Sequence, residues 1–204
     1  TGYDIDNSLR FNDDDSAYLS RTPSTAGNRK TWTWSGWVKR GNLGVQQHIF
    51  SGGTLGEVPV FVYFNDSTYT TADSIWVGVD HPTAYVHAST TRKFRDVGAW
   101  YHIIVVLDTT QAVATNRIKL YVNGELIPSS DFLHHWSSAW TQLAQNSDRQ
   151  FNAALPHKIG ARIDNIQPLD GYLAEVNFID GQALTPADFG ETDEDYGHWK
   201  PIEY

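Results

Sequence analysis

Ile118-Lys119-Leu120-Tyr121-Val122-Asn123-Gly124-Glu125-Leu126-Ile127 is the stretch that decides the fold class. Its first five residues put Ile118, Leu120 and Val122 on one side and Lys119 and Tyr121 on the other, the two-residue period of a half-buried strand. Asn-Gly follows at once. Both residues tolerate the positive φ that a two-residue hairpin turn demands, and Glu125-Leu126-Ile127 starts the return strand.

Working outward, the same texture recurs. Upstream, Trp100 to Leu107 is apolar on both faces, which predicts a strand at the centre of a sheet. Trp32 to Lys39, Val58 to Phe64, Ser74 to Val79 and Ala84 to Ser89 are short, aromatic and β-branched, as half-buried strands are. Ser8 to Phe11 and Ala17 to Arg21 flank the acidic turn Asn12-Asp13-Asp14-Asp15. Downstream, His157 to Ile163 and Gly171 to Ile179 read as two late strands. The one helical turn is expected at Thr185-Pro186-Ala187-Asp188-Phe189, with Thr185 as its cap, Pro186 at its first position and Gly190 at its end.

Many short strands separated by turns predict an all-β chain, a two-sheet antiparallel jelly-roll sandwich. No linker divides it, so residues 1–204 are expected to form a single domain with a C-terminal tail from about residue 190. The main irregular stretch runs from about Ser129 to Pro156; a loop of that length in a compact domain is usually there for function. The start at Thr1, without Met or a signal pattern, is expected of a domain cut from a longer chain, with a processed product as the alternative.

Composition narrows the function. The 204 residues include no cysteine, which removes disulfide scaffolds, thiolate metal sites and cysteine nucleophiles together. A net charge of −9 opposes nucleic-acid binding, which needs clustered Lys and Arg against phosphates. The longest apolar run, Ile103 to Leu107, is far short of the roughly 20 residues of a membrane span.

An ordered set of segments resembles a known group. Ser8-Leu9-Arg10-Phe11 with Ala17-Tyr18-Leu19, then Trp32 to Lys39, Trp100-Tyr101-His102 into Ile103 to Asp108, and Ile118 to Glu125 open it. Lys158-Ile159-Gly160 and Leu169-Asp170-Gly171-Tyr172-Leu173-Ala174-Glu175-Val176 close it. Together they are similar to the laminin-G-like, concanavalin A-like lectin and glucanase superfamily. The ending Phe189-Gly190-Glu191, then Gly197-His198-Trp199-Lys200-Pro201, looks like a branch found in tailed-phage, especially marine-phage, virion and tail-fibre proteins. The resemblance implies a virion-surface, extracellular protein that binds a host-surface polysaccharide and neighbours other fibre subunits, with a homotrimer as one form. A spacer or trimerisation domain without ligand is the alternative, and a laminarinase-like hydrolase or lyase the second.

The hydrolase reading is weak on chemistry. Laminarinase-like relatives carry Glu-x-Asp-x-x-Glu on a strand. The closest stretch here, Glu175 to Asp180, has Asn177 where the second carboxylate belongs, and an amide is neither nucleophile nor acid. Glu191 to Tyr196 lies in the tail, off any expected sheet. A Ser–His–Asp triad stays open by counting, although no Gly-x-Ser-x-Gly elbow occurs. No catalytic residue is therefore assigned.

For a metal, calcium suits the oxygen-rich turns. Asp13 and Asp15 are first, because they alternate and would converge on one ion; Asp108 and Asp170 stand in the two other turns. For glycan, a ring must stack on an aromatic face while planar polar groups take its hydroxyls. Trp136 and Trp140 with Asn146, Asp148 and Arg149 supply both, and Tyr63, Tyr69 and Trp76 near Asp66 form a second set. No cofactor is required by this reading.

Overall fold

The computed structural model describes residues 3–54, 60–67, 71–79, 86–134 and 143–204. In chain order its strands begin with β1 (Leu9–Phe11), β2 (Leu19–Arg21), β3 (Thr31–Arg40), β4 (Gln47–Gly52) and β5 (Val60–Phe64). Next come β6 (Ile75–Gly78), β7 (His87–Thr90), β8 (Trp100–Asp108), β9 (Ile118–Val122) and β10 (Glu125–Leu126). The last are β11 (Phe132–His134), β12 (His157–Ile159), β13 (Gly171–Asp180), β14 (Gly190–Thr192) and β15 (Trp199–Pro201). One sheet has the order β1-β13-β3-β8-β9-β10, the other β11-β7-β6-β5-β4-β12-β2. Both are antiparallel throughout, so the chain is an all-β sandwich.

Alternation sets the layers. Trp32, Trp34 and Val38 of β3, Ile103, Val105 and Leu107 of β8 and Ile118 and Leu120 of β9 meet Phe50, Val62, Phe64, Ile75, Val77 and Ala88 of the other sheet in one core. The central strands are apolar on both faces because their outer face is also covered. Ile104, Val106, Ile179 and Phe189 form a second, smaller cluster there, with Leu184 and Tyr121 packed against it.

The Asn123-Gly124 turn forms as the sequence predicts, at φ of 50° and 80°. Glycine is needed at 124 twice over, since a Cβ there would also collide with the Trp199 indole. β8 is central, between β3 and β9. The helical turn appears as a short 3-10 turn at Pro186–Asp188. Its entrance is fastened by Asp188, whose carboxylate accepts the Thr185 N–H at 2.7 Å and hydroxyl at 2.9 Å.

Three segments differ from the sequence reading. β4 is not foreseen, because a bulge between His48 and Phe50 breaks the alternation that would reveal it. The irregular stretch from Ser129 contains β11, a three-residue edge strand too short to show a period. Glu191 lies on β14, paired with β15, so the C-terminal residues are a hairpin lying on the sandwich rather than a loose tail.

Two irregularities place the site. β13 bulges between Ala174 and Asn177, with Glu175 at a φ of 47°. β1 pairs with β13 only from Gly171 to Leu173, so Asn177 to Asp180 have β3 on one side and, among the described residues, no strand on the other. The sandwich is open along that edge.

Candidate slot at the sandwich edge

The opening is a slot of about 550 Å³ between the sheets, within the usual size range of small-ligand sites. Phe178 enters from β13 and Phe50 from β4, with ring centroids 5.9 Å apart. Leu19 and Ile159 complete the apolar lining. Phe178 also stacks on the buried Trp32 at 5.6 Å, so its ring is held in place while 36% of it stays exposed.

The polar rim is a connected chain. His157 Nδ1 lies 2.8 Å from the Leu155 carbonyl, which can only accept, so this nitrogen carries the proton. Its Nε2 is then the acceptor for the Asn152 N–H at 3.1 Å. Burial, aided by the charge of Arg21, holds the His157 pKa below its ordinary value and favours this neutral ring. Asn152 donates its side-chain amide to the Asn28 carbonyl at 3.1 Å and to Asp180 Oδ1 at 2.6 Å. Asp180 Oδ1 also accepts the Asn28 N–H at 2.7 Å. Gly27 backs the group: a Cβ there would collide with the Asp180 carboxylate and the Asn152 amide. Arg21 and Lys158 line the β2 and β12 side. The Lys158 ammonium is turned to the Asn165 amide and the Tyr18 ring.

None of these groups was singled out by sequence as a sugar-binding residue; Asp180 entered only as the end of the hydrolase-like stretch Glu175 to Asp180. Asn28, Asn152 and Asp180 are far apart in the chain and carry no shared spacing. The available signal was a carboxylate ending a long strand just before Gly181.

Those of the sequence-derived glycan residues that the structure describes fall elsewhere. Trp136, Trp140 and Tyr69 lie outside the described residues. Tyr63 and Trp76 are brought together on the outer face of the seven-stranded sheet, ring centroids 5.6 Å apart, with His48 stacked on Tyr63 at 4.7 Å. At 6% and 5% exposure they present no open ring face. Asn146 and Asp148 are exposed, while Arg149 is buried at 3%. The Arg149 carbonyl accepts Arg29 Nε at 2.6 Å and its Nη2 donates to Ser147 Oγ at 3.0 Å. The Arg149 backbone thus fastens the loop to the chain at Arg29, while its buried guanidinium braces the loop from within at Ser147.

Of the acidic candidates, Asp13 lies near Asp170, while Asp15 and Asp108 turn to other partners. Asp13 accepts from the Asn42 amide at 3.0 Å and Asp15 from the Asn12 amide at 2.9 Å, so the two carboxylates turn to different partners. Burial and the nearby Asp13 raise the pKa of Asp170. Asp108 sits at the other end of β3, which spans roughly 30 Å at about 3.3 Å per residue. Its pKa is pushed up by burial but more strongly down by donors from Thr110, Gln111 and Thr31, so it ends below the ordinary value. Among the described residues no three His, Asp or Glu side chains form a group able to hold a metal ion.

The hydrolytic candidates are also apart. The bulge in β13 puts Glu175 beside Ser35, Trp37 and His102 on the outer face, while Asp180 lines the slot on the inner face. Two carboxylates on opposite faces cannot share one glycosidic bond. Ser35 Oγ and His102 Nε2 are 2.8 Å apart, the spacing of a nucleophile and base. However, Trp199 donates its indole N–H to His102 Nδ1 at 2.9 Å. A neutral His102 therefore carries its proton on Nε2 and donates to Ser35, the reverse of what an activated serine needs.

Comparison with known proteins agrees with the architecture. Residues 12–189 match the family model Laminin_G_3, described as the concanavalin A-like lectin/glucanases superfamily. The chain belongs to that superfamily. No curated protein sequence matches it. Among solved structures, it is similar to the heptameric SAP-like pentraxin from Limulus polyphemus, with 17% identity and a TM-score of 0.54 over 82% of this chain and 71% of that one. It is similar to domain 4 of an extracellular GH43 arabinanase from Geobacillus stearothermophilus, solved with arabinotriose, with 20% identity, a TM-score of 0.53, and 78% and 65% coverage. A third is the Ruminococcus gnavus IT-sialidase CBM40 bound to α2,3 sialyllactose, with 13% identity, a TM-score of 0.52, and 83% and 95% coverage. These likenesses are likenesses of fold. Among the described residues no helix is long and apolar enough to cross a membrane.

Proposed function

We propose that this domain recognises carbohydrate without cleaving it, and that the slot at the sandwich edge is where it does so. The observation that carries the reading is the pairing, in one 550 Å³ opening, of a fixed and partly exposed Phe178 ring with the planar polar groups of Asn152 and Asp180. A sugar offers an apolar C–H face and a hydroxyl edge, and it needs both kinds of surface at once. The three solved relatives include two proteins whose structures contain oligosaccharide, which accords with the reading. The reversed hydrogen-bond polarity of the Ser35–His102 pair and the separation of Glu175 from Asp180 favour binding over hydrolysis.

In the finer form of this reading the domain sits on a tailed-phage virion and its target is a host-surface polysaccharide. That rests on the resemblance of residues 189–201 to phage structural proteins. Several copies on one particle would raise a weak single-site affinity through effective concentration.

A glycan array read with and without chelator tests the proposal, with Phe178→Ala as its partner. Binding by the wild-type domain and its loss in the variant, with the melting temperature kept, supports it. Silence of the wild-type domain across neutral and acidic glycans overturns it in favour of a structural spacer. A chelator-sensitive signal assigns calcium a part in the binding.

A further inference from the structure

Resting on the reading of the slot as a sugar site, we propose that it selects an uncharged sugar edge bearing two adjacent hydroxyls, which donate to Asp180 Oδ2 and Asn152 Oδ1. The argument is one of hydrogen-bond accounting. The Asn152 side-chain nitrogen has two N–H groups, and both are used, on the Asn28 carbonyl and on Asp180 Oδ1. That fixes which way the amide faces, with Oδ1 turned away from those partners. Asp180 Oδ1 in turn already accepts two donors, from Asn152 and from the Asn28 backbone. The remaining acceptors are Asp180 Oδ2 and Asn152 Oδ1, and among the described residues neither has a hydrogen bond to protein. Both lie against Gly27, where a single Cβ would touch the two of them, so they are neighbours within the span of one pyranose or furanose edge.

A site that shows two acceptors side by side asks its ligand for two donors. Neighbouring sugar hydroxyls supply them; a carboxylate or sulfate supplies none and would meet the Asp180 charge. Phe178 sets the apolar limit of the same ring. Arg21 lines the β2 side of the slot, away from the Asn152–Asp180 pair in sequence and sheet, and the Lys158 ammonium is already engaged with Asn165 and Tyr18. The chain's net charge of −9 adds a weak bias in the same direction.

Isothermal titration of the whole domain tests this with neutral trisaccharides (arabinotriose, maltotriose, cellotriose, laminaritriose and mannotriose) against two anionic probes, 3′-sialyllactose and trigalacturonate. The expected result is that at least one neutral probe binds more tightly than either anionic one. Asp180→Asn should weaken it about ten- to hundred-fold, the loss expected for a hydrogen bond to a charged acceptor. A deoxy analogue of the best ligand, lacking one of the paired hydroxyls, should lose affinity on the unmodified protein, which removes any dependence on how the variant folds. Unchanged binding in both arms overturns the assignment while carbohydrate recognition stands. So does tighter binding of the anionic probes that Asp180→Asn strengthens. Failure of every glycan to bind the unmodified domain overturns the recognition reading itself.

Discussion

The Trp199 indole N–H donates to Nδ1 of His102 at 2.9 Å, and this bond joins the C-terminal hairpin to the centre of the six-stranded sheet. His102 also stacks on Trp37 at 4.7 Å between centroids, while the Trp199 ring lies beside it, nearly coplanar, at 6.1 Å. Trp199→Phe keeps an aromatic ring and removes the donor together with part of the indole's packing against Gly124 and Gly190. It should lower stability by at least about 1 kcal/mol, the net worth of such a hydrogen bond. Chemical unfolding measures this. Ser35→Ala should leave glycan binding unchanged, because the Ser35 hydroxyl is an acceptor for His102 and not a nucleophile.

The same ring predicts acid sensitivity. Burial lowers the His102 pKa from 6.5 to about 4. Burial, and then the charge of Arg162, lowers that of His48 to about 3. In the unfolded chain both titrate near 6.5, so below that pH the unfolded state binds more protons than the folded one. The stability these neutral rings contribute is fully present above about pH 6.5 and falls as pH drops towards 4. Within that window each ring costs about 1.4 kcal/mol per pH unit. Melting temperatures should hold from pH 7.5 to about 6.5 and fall from there to pH 4.5, and His102→Gln should lessen that fall.

A buried ion pair holds the rim near the β3–β4 connection. Arg40, whose side chain is wholly buried, meets Asp73 at 3.2 Å, and Asp73 also accepts from Arg95 at 3.0 Å and from the Gly44 N–H at 2.9 Å. Asp73→Asn leaves the Arg40 charge buried without its counter-charge, a change that typically costs about 3–5 kcal/mol. Urea unfolding should show a lowered midpoint at unchanged slope, with a fall in unfolding free energy of that order.

Gly27 is expected to separate binding from stability. Its φ is ordinary for any residue, and the obstacle to a side chain is the Asp180 and Asn152 groups at its Cα. Gly27→Ala should displace those side chains and abolish glycan binding, while the melting temperature moves by only a few degrees. A loss of affinity without unfolding, read by titration and calorimetry on one sample, checks it.

His157 tunes the slot through Asn152. Its neutral Nε2 accepts the Asn152 N–H, and a proton there would replace the acceptor with a donor. Its pKa is held below the ordinary value, by burial and then by Arg21. Arg21 and Lys158 are the cationic groups on that wall and Asp180 the anionic one. Glycan affinity should therefore be flat around neutrality and fall at acid pH below the ordinary histidine range. His157→Gln, whose amide oxygen can accept the same N–H, should shift that profile while keeping most of the affinity at pH 7.5.

How much of this was legible in sequence depends on whether a feature is local. The hairpin at Asn123-Gly124, the central place of β8 and the 3-10 turn at Pro186 are written in neighbouring residues, and they are where the sequence predicts them. β4 was hidden by a bulge that inserts Ile49 into the period, and β11 by its length of three residues. The slot was illegible for a different reason. It exists because β1 is too short to cover the last four residues of β13, and because chain segments around Asn28 and Asn152 meet there. Such a meeting has no spacing to read. Aromatic content likewise said that Trp and Tyr would matter, but not which were core. Trp32 and Trp34 are fully buried, Tyr63 and Trp76 nearly so, and the partly exposed ring that lines the slot is Phe178, which carried no motif.

The most direct test of the central claim is a ¹⁵N-labelled domain titrated with the tightest-binding neutral trisaccharide, its amide shifts followed residue by residue. The account predicts shifts centred on Gly27, Asn152, Phe178 and Asp180, with the trisaccharide recovered intact. Shifts centred instead on the outer face around Tyr63 and Trp76, or a shortened sugar at the end of the titration, would contradict it.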